Sequence, residues 1–280
     1  MSSSTAHTPA ARQAYDAHRG GNLLSEVTSV ILLLAPRSML CAGFSSGGAV
    51  LIVRRVEAAV SEPVWNQEFF EHHAMTEPLL GDPGLVKAVF FADEHVLQVP
   101  EALYDQAEAE SWTRTLWARG DDERVLHCTA DGQVHLLTAV ARPVTLLMER
   151  FFANAELMPL AIAHLYHAGP GKTSAQCTIT DDLATATLHS NNELLWQGTF
   201  PCTTPEDAGY QILTACTAHN LPVQSLSVCA TADAPYQIGL LQGLRPYVPG
   251  LRIASDNVVT HDPDWAPVLT LLYQLYACAS

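Results

Sequence analysis

The chain has 280 residues, of which 48% are hydrophobic and 15% charged, enough for one large domain or two of ordinary size. Its formal net charge is −15 at pH 7, and Lys87 and Lys172 are its only lysines. A surface this acidic repels phosphate groups, which argues against binding to nucleic acid and to anionic membranes.

Neither a membrane-spanning segment nor an export signal is predicted. The longest apolar run, VILLLA at residues 30–35, is too short to cross a bilayer. The N-terminus lacks the apolar stretch of a signal peptide, and we predict a disordered tail over residues 1–25. Seven cysteines without a Cys-x-x-Cys pair favour reduced, mostly buried thiols, and therefore a cytoplasmic protein.

Strand patterns open the first half of the chain. VTSVILLLA, SMLCAGF and AVLIVRRVEAAV predict three strands, and PVWNQEFFEHHA predicts a short helix. LVKAVFFA and HVLQVP predict two more strands, and a helix is expected to begin at Pro100 and to continue through EALYDQAEAESWTRTLWA. ERVLHCTADGQVHLLTAV predicts a hairpin that turns at Asp131-Gly132. A long helix from about Pro143 to Tyr166 closes this half.

The second half repeats the scheme. SAQCTITDD, LATATLHS and ELLWQGTF predict three strands, with a hairpin turn at Asn191-Asn192. Thr204 is expected to cap a helix that begins at Pro205. VQSLSVCA, APYQIGLLQGLRPYV, LRIAS and DWAPVLTLLYQLYACA then predict a strand, a helix, a short strand and a terminal helix.

This repetition predicts two similar α/β domains, 26–168 and 172–280, that face each other across a cleft. Each domain should have a mixed sheet flanked by helices, in which the first three strands form a meander. Between them lies HAGPGKT, residues 167–173, with a Gly-Lys-Thr. A P-loop requires a glycine where Tyr166 stands, and it follows a strand and opens a helix. Here a helix precedes and a strand follows, so we predict a turn at residues 169–173 that binds no phosphate.

Two consecutive domains with this order of elements resemble the actin-like ATPase superfold of actin, sugar kinases and heat-shock ATPases. Four blocks resemble a bacterial family catalogued as domain of unknown function 3822: LLLAPRSMLCAGF, AVFFADEHVLQVPEALYDQA, NELLWQGTFPCTTPEDAGYQILTA and the looser LPVQSLSVCATADAPYQIGLLQGLRPYVPGLRI. They extend from about residue 27 to 255. The resemblance implies a duplicated, ribonuclease H-like fold and no established activity.

In that superfold, glycine-containing turns hold the phosphates and the Mg²⁺ of a nucleotide. The first matching turn here, Ala35-Pro36-Arg37-Ser38, has neither the acid nor the glycine. The second, Asp181-Asp182-Leu183-Ala184-Thr185, keeps acids and a threonine without the glycine, and Cys229-Ala230-Thr231 stands where a Gly-Gly is usual. Because glycines let a backbone approach phosphate closely, we predict a degenerate nucleotide cleft without ATP hydrolysis.

Five residues of these turns are candidate ligand-binding residues of the cleft: Arg37, Ser38, Asp181, Asp182 and Thr185. Arg37 could bind a phosphate or carboxylate, and a plain surface arginine is the alternative. Asp181 and Asp182 form either a metal pair or an acidic turn at a strand end, which we favour. No catalytic residue and no metal ligand is predicted.

A two-residue loop in the predicted hairpin would place Cys128 opposite His135 across the strands. Such a pair supplies two of the three or four ligands of a zinc site, or the beginning of a Cys–His dyad. Without further ligands or an orienting acid, we favour a packing pair.

The predicted function is that of a non-catalytic, actin-like scaffold or adaptor that binds a protein partner and needs no cofactor. The analogy is to the actin-like assembly proteins of type IV pili and type II secretion, at the level of fold. Two alternatives stay open: a protein that binds ATP and Mg²⁺ through an altered phosphate site, and an enzyme that holds a small acidic ligand in the cleft with Arg37. The partner's identity and a homodimer are also left open.

Overall fold

A computed structural model describes residues 12–17, 22–58, 67–117, 122–130, 134–166, 173–191, 193–253 and 260–279. Three sheets are formed by β1 Arg12–Asp16, β2 Ser29–Leu34, β3 Ser38–Phe44, β4 Val50–Glu57, β5 Val86–Phe91, β6 Val96–Pro100, β7 Glu123–Ala130, β8 Val134–Ala141, β9 Glu156–Pro159, β10 Thr173–Thr180, β11 Leu183–Ser190, β12 Glu193–Pro201, β13 Ser227–Ala232 and β14 Leu251–Ile253. The helices are α1 Gln67–Thr76, α2 Ala109–Trp117, α3 Arg142–Phe151, α4 Ile162–Tyr166, α5 Pro205–Ala218, α6 Ile238–Gly243 and α7 Ala266–Cys278. None of these helices combines the length and the apolar character that crossing a bilayer requires.

The first sheet has the strand order β1-β4-β3-β2-β5-β9. Strands β2, β3 and β4 form an antiparallel meander, and β5 and β9 continue the sheet in parallel with β2. Every residue of β2 and β3 is buried. Burial on both faces is why these strands are continuous apolar runs rather than alternating patterns.

The second sheet repeats this topology with the order β12-β11-β10-β13-β14. Strands β10, β11 and β12 form the meander, and β13 and β14 run parallel to β10. The prediction of a mixed α/β fold with two similar sheets is therefore confirmed. Two local features of this half agree with the sequence predictions. Asn191 has the left-handed φ of 51° that suits a hairpin turn, and Thr204 forms a capping box with Asp207 at the start of α5.

Helices α4 and α7 pack against one face of the first sheet, while α1 and α3 pack against its other face. The terminal helix α7 had been expected to belong to a second domain of residues 172–280. It lies against both halves: it contacts β13 of the second sheet, and it also buries Val268, Leu271 and Leu272 against Ile31 and Leu33 of the first sheet. No local pattern in the sequence indicates this contact with the first sheet.

The predicted disordered tail over residues 1–25 is wrong for β1. This strand pairs antiparallel with β4, from Arg12 opposite Val56 to Asp16 opposite Ile52. Its Tyr15 is buried and stacks on His261, with ring centroids 5.2 Å apart. Pairing with a sheet edge supplies hydrogen bonds that the segment cannot make by itself.

A small third sheet, β6-β8-β7, is inserted with α2 between β5 and β9. The helix expected from Pro100 begins only at Ala109, because Asp105 forms a turn in which its side chain accepts from the Ala107 amide at 2.8 Å.

The long helix predicted from Pro143 to Tyr166 is also wrong. It is interrupted by β9, since a short apolar run such as LMP is compatible with a buried strand as well as with a helix.

The β7–β8 hairpin has a different register from the predicted one. Ala130 pairs with Val134, so Thr129 faces His135 and Cys128 faces Leu136. The loop has three residues, 131–133, and its predicted Asp131-Gly132 turn lies outside the described residues. A single extra loop residue moves each partner by one position and therefore to the other face.

Candidate functional site

The hairpin turns of the two meanders meet between the two halves. The backbone N–H of Arg37, in the β2–β3 turn, donates a 2.7 Å hydrogen bond to Asp181 Oδ2 in the β10–β11 turn. Asp181 has a φ of 51°, which Asp adopts more readily than most residues. Both turns follow the carboxyl ends of their strands, so equivalent positions of the two meanders are brought together.

A buried arginine from the first sheet lies at this meeting point. Arg55 extends from β4, and its side chain is 0% exposed. Its Nη2 donates to Asp181 Oδ1 at 2.8 Å, and its Nε and Nη2 both donate to Asp233 Oδ2 at 3.2 Å. Its Nη1 pairs with Glu57 on the same strand. One guanidinium thus joins the first sheet to two separate loops of the second half.

Asp233, directly after β13, receives the largest share of these hydrogen bonds. The Ser38 hydroxyl donates to Asp233 Oδ2 at 3.1 Å, and the Asp181 amide lies 3.4 Å from Oδ1. Asp233 is 0% exposed. We refer to Ser38, Arg55, Glu57, Asp181 and Asp233 as the junction network.

The charges of the junction network affect the pKa values of Arg55 and Asp181. Burial by itself lowers the pKa of Arg55, but Asp233, Tyr236 and Asp181 raise it well above its ordinary value, so Arg55 is a permanent cation. Burial, together with the nearby Asp233, raises the pKa of Asp181 to about 6. One guanidinium faces three carboxyl groups, so the network carries surplus negative charge when all three are ionised, and protonation of Asp181 reduces that surplus.

A small pocket of about 120 Å³ opens beside the junction network. It is lined by Arg37, Glu57, Ala58, Asp181, Asp182 and Tyr236. Burial raises the pKa of Tyr236 to about 12, so its phenol is neutral at physiological pH. Pockets for small organic ligands and cofactors commonly measure about 300–1,000 Å³, which makes this one too small for a nucleotide.

Four of the five predicted ligand-binding residues lie at the junction network or its pocket. Ser38 and Asp181 belong to the network, and Arg37, Asp181 and Asp182 line the pocket. Thr185 is buried in β11, and its hydroxyl bonds that of Thr199 at 3.1 Å rather than any junction residue.

The third turn of the cleft does not lie at residues 229–231, where the sequence pattern predicted it. Ala230 lies within β13, where it pairs with Cys177 and Ile253, and the turn itself comes later, at Asp233. Neither Arg55 nor Asp233 was among the predicted site residues. The available signal was an arginine within the buried run VLIVRRV, because a buried charge requires an ionic partner.

His135 has other contacts than the predicted one with Cys128. Its Nδ1 lies 2.7 Å from His127 Nε2, its Nε2 hydrogen-bonds Glu101, and the ring of Tyr104 stacks on it at 3.7 Å. Burial and the neighbouring His135 lower the pKa of His127. Of the turn predicted at residues 169–173, residues 169–172 lie outside the described part of the chain and Thr173 begins strand β10, while helix α4 ends at Tyr166.

The architecture has counterparts among solved structures. A protein of unknown function with an actin-like ATPase fold from Bacteroides thetaiotaomicron superposes with a TM-score of 0.71 at 12% identity, covering 90% of this chain and 99% of that chain. The chain has the actin-like ATPase fold. The structure of a PilM–PilN type IV pilus biogenesis complex matches with a TM-score of 0.56 at 14% identity, covering 91% of this chain and 99% of the other.

At these identities, the likeness establishes the fold alone. Neither a family model nor a curated protein matches the chain. Membership of the domain of unknown function 3822 family stays a prediction.

Proposed function

We propose that this actin-like protein is a non-catalytic scaffold or adaptor, whose two halves are held together by the junction network instead of a bound nucleotide. The observation that carries the proposal is the position of Arg55. It lies between the β2–β3 and β10–β11 turns and bonds Asp181 and Asp233. These are the turns that match the phosphate-holding turns of the superfold.

The hydrogen-bonding capacity of the junction is already used within the protein. The Arg37 amide, which faces the second turn, donates to Asp181, and the Ser38 hydroxyl donates to Asp233. The Arg55 guanidinium bonds carboxylates with each of its three nitrogens. A phosphate entering here would have to displace these bonds and would face the carboxylates of Asp181 and Asp233 at close range.

The pocket beside the network argues against the two ligand-binding alternatives. Its volume of about 120 Å³ is too small for ATP. A small acidic ligand held by Arg37 would also contact a wall that contains Glu57, Asp181 and Asp182. Since like charges repel strongly where water is partly excluded, we favour neither alternative.

An adaptor function also fits what the PilM–PilN structure contains, an actin-like fold within an assembly complex. The partner would be a protein rather than nucleic acid, because the net charge of −15 repels a phosphate backbone. We further propose a cytoplasmic location, since all seven cysteines are thiols outside any disulfide, and burial raises the pKa values of six of them.

The test is nucleotide binding and turnover by the purified protein. ATP with Mg²⁺ should leave the Tm unchanged, and phosphate release should equal that of an Asp182→Ala variant, which controls for contaminating ATPases. A ligand present at 100 times its Kd would stabilise the folded state by about 2.7 kcal/mol, a shift that is easily measured. Such a shift, or turnover that the variant lacks, would overturn the proposal.

A further inference from the structure

The small inserted sheet carries an apolar groove that shares no lining residue with the pocket beside the junction network. The groove has a volume of about 440 Å³ and lies between strand β6 and helix α2. One wall is formed by residues 97–100 of β6 and by Leu103, and the other by Trp112, Thr115 and Leu116 of α2. Six of these eight lining residues are apolar.

The groove exists because the inserted unit has a thin core of its own. Val99, Ala109 and Leu137 are the buried residues of the cluster that joins α2 to the sheet. This leaves Leu103 at 69% exposure and Leu116 at 60%. Contiguous apolar surface of this kind, beside a concave pocket, marks an interaction site more often than scattered exposed leucines do.

The rim of the groove is acidic. Residues 93–117 contain six carboxylates and a single arginine, Arg114. Glu101, whose exposed carboxylate also pairs with His135, adjoins the first wall, and Glu108 precedes Trp112 by one helical turn, so both carboxylates lie beside the apolar lining. An apolar lining with an acidic rim is complementary to a segment with large apolar side chains and flanking positive charge.

We propose that the groove binds a short amphipathic segment of a partner protein, with two or three large apolar residues flanked by lysine or arginine. This inference rests on the proposed adaptor function and names the chemistry of the partner. A helical segment would present its apolar residues at i, i+3, i+4 and i+7 to such a groove. Exposed Leu103 and Leu116 would be covered by the bound segment, and Trp112 would form the central contact.

The same charges argue against the two other occupants. A second copy of this chain also carries a net charge of −15, so pairing through two acidic rims would be repulsive. An anionic lipid surface would be repelled for the same reason. A basic segment of another protein is the occupant whose charge matches.

The experiment selects peptides from a random displayed library of about twelve residues on the full-length protein at physiological salt. Selected sequences should combine large apolar residues with net positive charge. Synthetic, fluorescein-labelled copies are then measured by fluorescence anisotropy against wild type and the Leu103→Ser/Leu116→Ser variant. Both leucines are exposed, so the variant should keep its Tm and lose at least tenfold in affinity. Leu146→Ser, exposed at 56% on α3, is the matched control and should bind like wild type.

Three results would overturn the inference. The selected peptides could bind the double variant as tightly as wild type, or they could lack net positive charge. The third result is a wild-type protein that dimerises or binds anionic vesicles through the groove, so that the double variant loses this association. None of these results depends on nucleotide. Failure of the groove therefore leaves the scaffold proposal standing, whereas ATP turnover would end that proposal and leave peptide binding intact.

Discussion

Replacement of Arg55 by methionine tests the junction network directly. The variant keeps a long apolar side chain in the buried position and removes the guanidinium. Asp181 and Asp233 then lose a charge partner at 2.8 and 3.2 Å, at sites where their side chains are 5% and 1% exposed. Removing one partner of a buried ion pair costs about 3–5 kcal/mol, because an uncompensated charge stays buried.

The cost should appear as a large fall in thermal stability. At about 2 °C per kcal/mol for a chain of this size, the Tm of Arg55→Met should fall by about 6–10 °C. At pH 5 the fall should be smaller than at pH 7, because Asp181, with its pKa raised to about 6 by burial, is then protonated and uncharged. The assay is thermal unfolding followed by circular dichroism at both pH values.

The adjacent residue offers a matched control. Arg54 forms an ion pair with Asp16 at the same 2.8 Å distance, but the two side chains are 30% and 48% exposed. Exposed pairs contribute at most about 1 kcal/mol, so Arg54→Met should lower the Tm by about 2 °C or less. Equal effects of the two substitutions would refute the reasoning that the junction network holds the halves together. Amide exchange at Arg37, whose N–H donates to Asp181, should also accelerate in Arg55→Met alone.

Three further predictions concern stability. Burial raises the pKa of Asp181 to about 6, so the stabilising effect of its protonated form is full below about pH 4 and is lost as the pH rises through 6. The Tm of Asp181→Asn relative to wild type should therefore increase over that interval. A constant difference between the two Tm values in calorimetry would contradict this prediction. Gly250→Ala should destabilise by about 1–3 kcal/mol in urea unfolding, because a Cβ there would lie only 2.0 Å from the Leu226 carbonyl oxygen; an unchanged midpoint would show that the backbone adjusts freely. Thr204→Ala should cost about 1 kcal/mol, because it removes the hydroxyl that accepts from the Asp207 backbone N–H in the α5 capping box, and a variant as stable as wild type would argue against that cap.

Elements that depend on neighbouring residues were predictable from the sequence. The six meander strands were recognised because apolar, β-branched runs separated by turn residues specify local hairpins. The α5 boundary followed from Thr204 and Pro205, whose capping chemistry acts within one turn. The repeated order of these elements was sufficient to predict the actin-like fold.

Tertiary structure decided the features that depend on distant residues. Strand β9 forms where a long helix was predicted because β5 offers it a parallel partner, and α7 packs on the first sheet as well as on β13 because the first sheet has an apolar face to cover. Arg55 and Asp233 are 178 residues apart, so their contact leaves no periodicity or motif in the sequence. Each side chain was visible only as a charge near an apolar run. Their pairing is decided by where the two sheets place their strand ends, which folding alone brings within hydrogen-bonding distance.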